Sequence, residues 1–146
     1  MPRFDLTIDI ARTPEEVFAA LTDIERLPEW QSSAVSAAAE GELGVGTIIG
    51  EQRRFMGREV TTKDEVVTYE PPHRFDLKSL SAPVQYEIQH RLEQTAAGTR
   101  LRIDVDVKVG TVMRIAAQPA LKAAERELRG DFERLKELLE TSARGT

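Results

Sequence analysis

Two stretches in the second half of the chain constrain the fold most. From residue 84 onward, Val84, Tyr86, Ile88, His90 and Leu92 share one parity, and Gln85, Glu87, Gln89, Arg91 and Glu93 share the other. From residue 101 onward, Leu101, Ile103, Val105, Val107 and Val109 alternate with Arg102, Asp104, Asp106 and Lys108. A period of two with one apolar face is the mark of a half-buried strand. Ala97-Gly98 between the two stretches supplies a turn. A long hairpin with one wet face belongs to an antiparallel sheet, because a parallel sheet is buried on both sides. The period then changes. Leu121, Ala124, Leu128, Phe132, Leu135, Leu138 and Leu139 recur three and four residues apart, the apolar stripe of one long amphipathic helix.

The first part of the chain supplies the rest of the sheet. Phe4, Leu6, Ile8 and Ile10 alternate with polar residues as a first strand. Thr13, Pro14 and Glu16 form a capping box with proline at the first helical position, so a short helix runs to Leu21. Asp23 is placed to cap a second short helix that Pro28 ends. Residues 32–40 give a weak strand pattern, and Gly41, Gly44 and Gly46 mark a hairpin turn. Strands are expected over Thr47–Met56 and Glu59–Tyr69 with a reversal at Gly57-Arg58, and a short one over Phe75, Leu77 and Ser79. Pro119 restarts or kinks the last helix, and Gly130 costs it about 1 kcal/mol relative to alanine. The expected class is α+β: a curved antiparallel sheet of six or seven strands around a long C-terminal helix. One helix cannot fill the whole concave face, so an apolar cavity should remain, and such cavities are ligand sites by default.

At 146 residues the chain suits one domain over 1–146, with 141–146 as a frayed tail. It has no cysteine, which excludes disulfides, thiolate metal sites and cysteine nucleophiles. The net charge is −5. The densest basic cluster, Arg53, Arg54 and Arg58, reads as a solvated hairpin, so no nucleic-acid partner is expected. No apolar run approaches the roughly 20 residues of a bilayer span. The alternation starting at Phe4 leaves no room for a signal peptide. The expectation is a cytoplasmic protein with no membrane insertion and no cofactor; a homodimer stays open.

Candidate chemical groups are few. His73 and His90 are the only histidines, and neither has neighbours suited to a metal. No Gly-x-Ser-x-Gly elbow is present. His90 falls on an apolar face, where it is either a core histidine tied to a backbone group or water, or a polar anchor and general acid/base. Tyr86 places a phenol on the same wall, to orient a ligand oxygen or to sit at the rim. His90 and Tyr86 are thus the weak candidates for catalysis. Arg53 and Asp64 make either an outward pair, the preferred reading, or a buried one. Trp30 closes one end of the pocket or packs the short helices on the sheet. The expected ligand walls are Phe75, Leu77, Ile88, Ile103, Val105 and Val107 of the strands, together with Trp30, Tyr86 and His90. Met113, Ala116, Ala117 and Ala120 at the start of the last helix complete them.

The segments Ile10-Ala11-Arg12-Thr13-Pro14-Glu15-Glu16-Val17-Phe18, Leu21-Thr22-Asp23 through Pro28-Glu29-Trp30, Gly44-Val45-Gly46-Thr47 and Val66–Phe75 carry a resemblance. Taken together, the chain resembles the polyketide cyclase/dehydrase-like (SRPBCC) branch of the START/Bet v 1 superfamily over nearly its whole length. The resemblance implies a helix-grip fold. It also implies binding of a small hydrophobic molecule, lipid-, polyketide- or quinone-like, in an internal cavity. A second implied role is a polyketide cyclase/dehydratase in which His90 and Tyr86 move protons. A third, like that of relatives that activate a chaperone, ranks last because the outer strand faces are charged.

Overall fold

The computed structural model describes residues 3–82, 84–108 and 118–142. Strand β1 (Arg3–Ile10) leads into helix α1 (Pro14–Leu21) and a 3-10 helix (Ile24–Glu29). Strands β2 (Ala34–Ala39), β3 (Ile48–Phe55), β4 (Arg58–Glu70), β5 (Arg74–Ser81), β6 (Gln85–Thr95) and β7 (Gly98–Lys108) follow, then helix α2 (Gln118–Ser142). The seven strands form one sheet in the order β1-β7-β6-β5-β4-β3-β2, with every neighbouring pair antiparallel. The fold is the expected α+β helix grip.

Local chemistry accounts for most boundaries. Thr13 caps α1 by accepting from the Glu16 backbone N–H, and the Glu16 side chain accepts from Thr13 in return. Three details differ from expectation. Pro28 lies inside the 3-10 helix, which runs on to Glu29, and Asp23 makes no side-chain capping bond. The β3–β4 reversal sits one residue early, at Met56-Gly57, with φ of 52° and 78°. A two-residue loop of this kind needs positive φ at both positions, so its register is set by strand pairing as much as by the glycine.

In-register rungs cross the sheet. Leu6, Ile103, His90 and Phe75 form one, and Phe4, Val105, Ile88 and Leu77 form the next. The C-terminal half of α2 lies on the first rung: Phe132 and Leu135 are buried, and the Phe132 ring is 5.9 Å from that of His90. Trp30 packs on Phe132 at 5.1 Å, which ties the short helices to α2. Phe18 and Tyr69 extend this aromatic layer around Phe75.

Gly130 faces open space, so no close approach of helix to sheet requires it. Gly130→Ala is therefore expected to stabilise the protein by about 1 kcal/mol, read as a shift in the urea midpoint at unchanged slope.

Candidate functional site

The concave face changes character along the strands. At the aromatic layer it is closed: Phe75, Leu101, Ile103 and Phe132 are almost wholly buried. One rung further, Leu77 and Ile88 point the same way yet are only partly buried, with buried Val105 beside Ile88 on β7. The rung beyond runs from buried Val107 to buried Ile49 and carries polar residues between them: Tyr86, four residues or about 13 Å from His90 along β6, then Ser79 and Asp64.

Tyr86 donates its phenol proton to Asp64 Oδ1 at 2.8 Å, and its backbone N–H donates to Ser79 Oγ at 2.8 Å. Asp64 lies on the same face of β4 as Thr62 and Val66, and Thr62 is the register partner of Glu51 on β3. The Glu51 carboxyl lies close enough to Asp64 to act on its charge. The Arg53 guanidinium donates to Glu51 and Gln31, and to Ser33 Oγ at 2.7 Å. Glu51, Thr62 and Asp64 are only 4%, 3% and 3% exposed. Among the described residues the buried Thr62 hydroxyl has no hydrogen-bond partner.

This arrangement corrects the outward reading of Arg53 and Asp64. Both belong to the interior group, because Ile49 and Val66 are buried and the pleat carries Glu51, Arg53, Thr62 and Asp64 to their side. The basic hairpin cluster is split accordingly: Arg54 and Arg58 are exposed, and Arg53 turns inward. Glu51 and Thr62 escaped the sequence reading. The available signal was parity with Ile49 and Val66, masked by the polar residues themselves, which interrupt the apolar period.

The electrostatics follow from burial. Asp64 is pushed up to about 7 by desolvation, then by the neighbouring Glu51 carboxylate. Tyr86 is raised above the ordinary phenol range, first by burial and then by Asp64. His90 is different in kind. Its Nδ1 donates to the Phe75 carbonyl at 2.7 Å and its ring stacks on Phe75 at 5.7 Å. Because a carbonyl can only accept, the proton sits on Nδ1 and Nε2 carries the lone pair. Desolvation lowers the imidazole to about 4, against weaker help from the Phe75 carbonyl and Asp76.

The two shifts oppose each other in stability. The folded chain resists protonating His90 until about pH 4, whereas the unfolded chain takes up that proton near 6.5. His90 thus contributes stability above pH 6.5 that is lost as pH falls toward 4, about 3 kcal/mol in all. Asp64 contributes stability below its ordinary value of 3.8 that is lost as pH rises through about 7. Asp131, raised by burial, acts in the same sense as Asp64. Urea unfolding at pH 4.5 and 6.5 should show a shallow dependence in the native protein. Asp64→Asn should steepen the loss toward acid, and His90→Phe should make stability fall as pH rises.

Trp30, Phe75, Leu77, Tyr86, Ile88, His90, Ile103, Val105 and Val107 all lie in the core or on the concave face. Ala120 is exposed in the first turns of α2, and Met113, Ala116 and Ala117 lie outside the described residues. Beside the edge strand β1, a groove of about 650 Å³ runs along α2, lined by Thr7, Ile8 and Asp9 on the strand and by Glu133, Lys136 and Glu137 on the helix. Its lining is charged, and Lys136 already bonds the Asp9 carbonyl and Glu140, so it does not suit an apolar guest. Among the described residues no group of histidine and acidic side chains is placed to hold a metal, and no helix is long and apolar enough to cross a membrane.

Similar folds are known. The chain superposes on the di-domain aromatase/cyclase StfQ of the steffimycin biosynthetic pathway with a TM-score of 0.81 at 14% identity, covering 97% of this chain and 51% of that one. It superposes on a protein from Thermus thermophilus with a TM-score of 0.81 at 17% identity, covering 97% and 99% of the two chains. A protein from Rhodobacter sphaeroides is 26% identical with a TM-score of 0.73, covering 95% and 92%. No curated protein sequence matches the chain. The family model described as polyketide cyclase / dehydrase and lipid transport matches residues 1–140. The chain belongs to that polyketide cyclase/dehydrase and lipid transport family.

Proposed function

We propose that this protein binds a small hydrophobic molecule, lipid-, polyketide- or quinone-like, on the concave face between the sheet and α2. The observation that carries the reading is the incomplete cover of Leu77 and Ile88. They face inward beside buried Val105, yet remain partly open between the aromatic layer and the Tyr86–Asp64 group. Apolar walls with few polar groups at one end are the usual make-up of a small-molecule site. Native mass spectrometry of protein purified from host cells should show a retained ligand, and a panel of apolar compounds should raise the melting temperature. A protein that emerges empty and responds to none of the panel would sink the reading.

A second reading, a cyclase or dehydratase, is favoured by one feature. Asp64, held near neutrality and hydrogen-bonded to a phenol, can take up or release a proton at physiological pH. On this reading the Tyr86–Asp64 pair moves protons. His90 serves it less well, being uncharged at neutral pH with its one N–H committed to a backbone carbonyl. Turnover of poly-β-ketone thioesters that drops at least 100-fold in Tyr86→Phe, with the product of the native protein identified, would establish it.

A further inference from the structure

We propose that Glu51, Thr62, Asp64 and Tyr86 form the polar end of the ligand site, selecting a molecule that ends in a neutral hydrogen-bond donor, an alcohol or phenol, over one ending in a carboxylate. The inference rests on the hydrophobic-ligand reading above and specifies which ligands it admits.

Three observations carry it. First, the group is rich in acceptors. Four carboxylate oxygens and two hydroxyl oxygens face one another across β3, β4 and β6, with the Tyr86 phenol already committed to Asp64. Second, the one cation of the group is spent. Arg53 is held by Glu51, Gln31 and Ser33, and among the described residues Asp64 has no ion-pair partner. An incoming carboxylate would meet two buried carboxyl groups with, among the described residues, no free cation beside them to offset the charge, whereas a hydroxyl brings a donor to the unpaired Thr62 oxygen. Third, the buried Thr62 hydroxyl has no partner among the described residues, although native interiors nearly always pair such groups. A ligand hydroxyl at this end would supply the missing partner.

The test uses three probes with one ring system: 2-naphthol, 2-naphthoate and 2-methylnaphthalene, titrated calorimetrically at pH 7.5. The native protein should hold 2-naphthol at least tenfold more tightly than 2-naphthoate. Thr62→Val and Asp64→Asn should bring that ratio within threefold while 2-methylnaphthalene still binds. Thr62→Val should also raise the melting temperature of the empty protein, since a methyl group replaces a hydroxyl without a partner; this confirms that the variant folds. Equal or tighter binding of 2-naphthoate, or a preference that survives both substitutions, overturns the inference while 2-methylnaphthalene binding keeps the hydrophobic-ligand reading. Failure of all three probes to bind removes both.

Discussion

Arg53→Met is expected to lower the unfolding free energy by about 3–5 kcal/mol, the usual cost of stranding a buried charge. Arg53 is the cation that offsets Glu51, whose side chain is almost fully enclosed, and Asp64 lies against the same carboxylate. Removing the guanidinium leaves two carboxyl groups facing each other in a poorly solvated place and frees Gln31 and Ser33 from their donor. Most surface ion pairs, by contrast, are worth under about 1 kcal/mol. Urea unfolding separates the cases. A loss below about 1 kcal/mol would mean that Glu51 is solvated and that the group is not an interior one. Adding Glu51→Gln to Arg53→Met should recover much of the loss, because the stranded charge is then gone; the double-mutant cycle measures that coupling directly.

Gly98→Ala should cost about 3 kcal/mol. Gly98 opens β7 at φ +150°, and a Cβ there would stand 2.3 Å from the Ile10 carbonyl oxygen and within 2.9 Å of Arg12 backbone atoms. All three neighbours are main chain, so no side chain can swing aside. The turn between β6 and β7 must move away from the end of β1, or the backbone must strain, and each remedy costs 1–3 kcal/mol or so. The Thr99 hydroxyl donates to the Arg12 carbonyl at 2.7 Å, so the same displacement would loosen the join between β1 and α1. Chemical unfolding should show a large fall in midpoint. A near-neutral result would mean that the contact between this turn and Ile10–Arg12 is looser than the geometry implies. The contrast with Gly130, where a Cβ meets open space, shows that glycine in this chain has no single meaning.

Much of the architecture was legible because it depends on local periodicity. The alternation through β6 and β7, the stripe of α2 and the capping box of α1 each specify an element from neighbouring residues alone. Where two signals conflicted, the reading slipped by a residue or so. Pairing placed the β3–β4 turn on Met56 despite the cost of positive φ there, and the 3-10 helix absorbed Pro28.

The candidate site was legible only in part. Tyr86 and His90 sit on an apolar parity that points inward whatever the fold does. Glu51, Arg53, Thr62 and Asp64 do not, because an inward strand face made of polar residues looks like an outward one. Their direction came from the register of β3 on β4 and of β4 on β5, which carries the buried positions of Ile49 and Val66 along the pleat. His90 shows the converse. Its sequence position announced an inward imidazole, but its partner is the Phe75 carbonyl 15 residues away, a contact only the β5–β6 pairing creates.

Local periodicity thus suffices for the strands, the long helix and the inward row of β6 and β7, since strand and helix periods are fixed by backbone geometry. The second, charged row beside it exists only through the three-dimensional pairing of the strands. Buried polar groups are stable there because partners distant in the chain satisfy them: Gln31 and Ser33 hold Arg53, Arg53 holds Glu51, and Tyr86 holds Asp64. No local pattern encodes such partners, and so the polar end of the site appears only once the strands are in register.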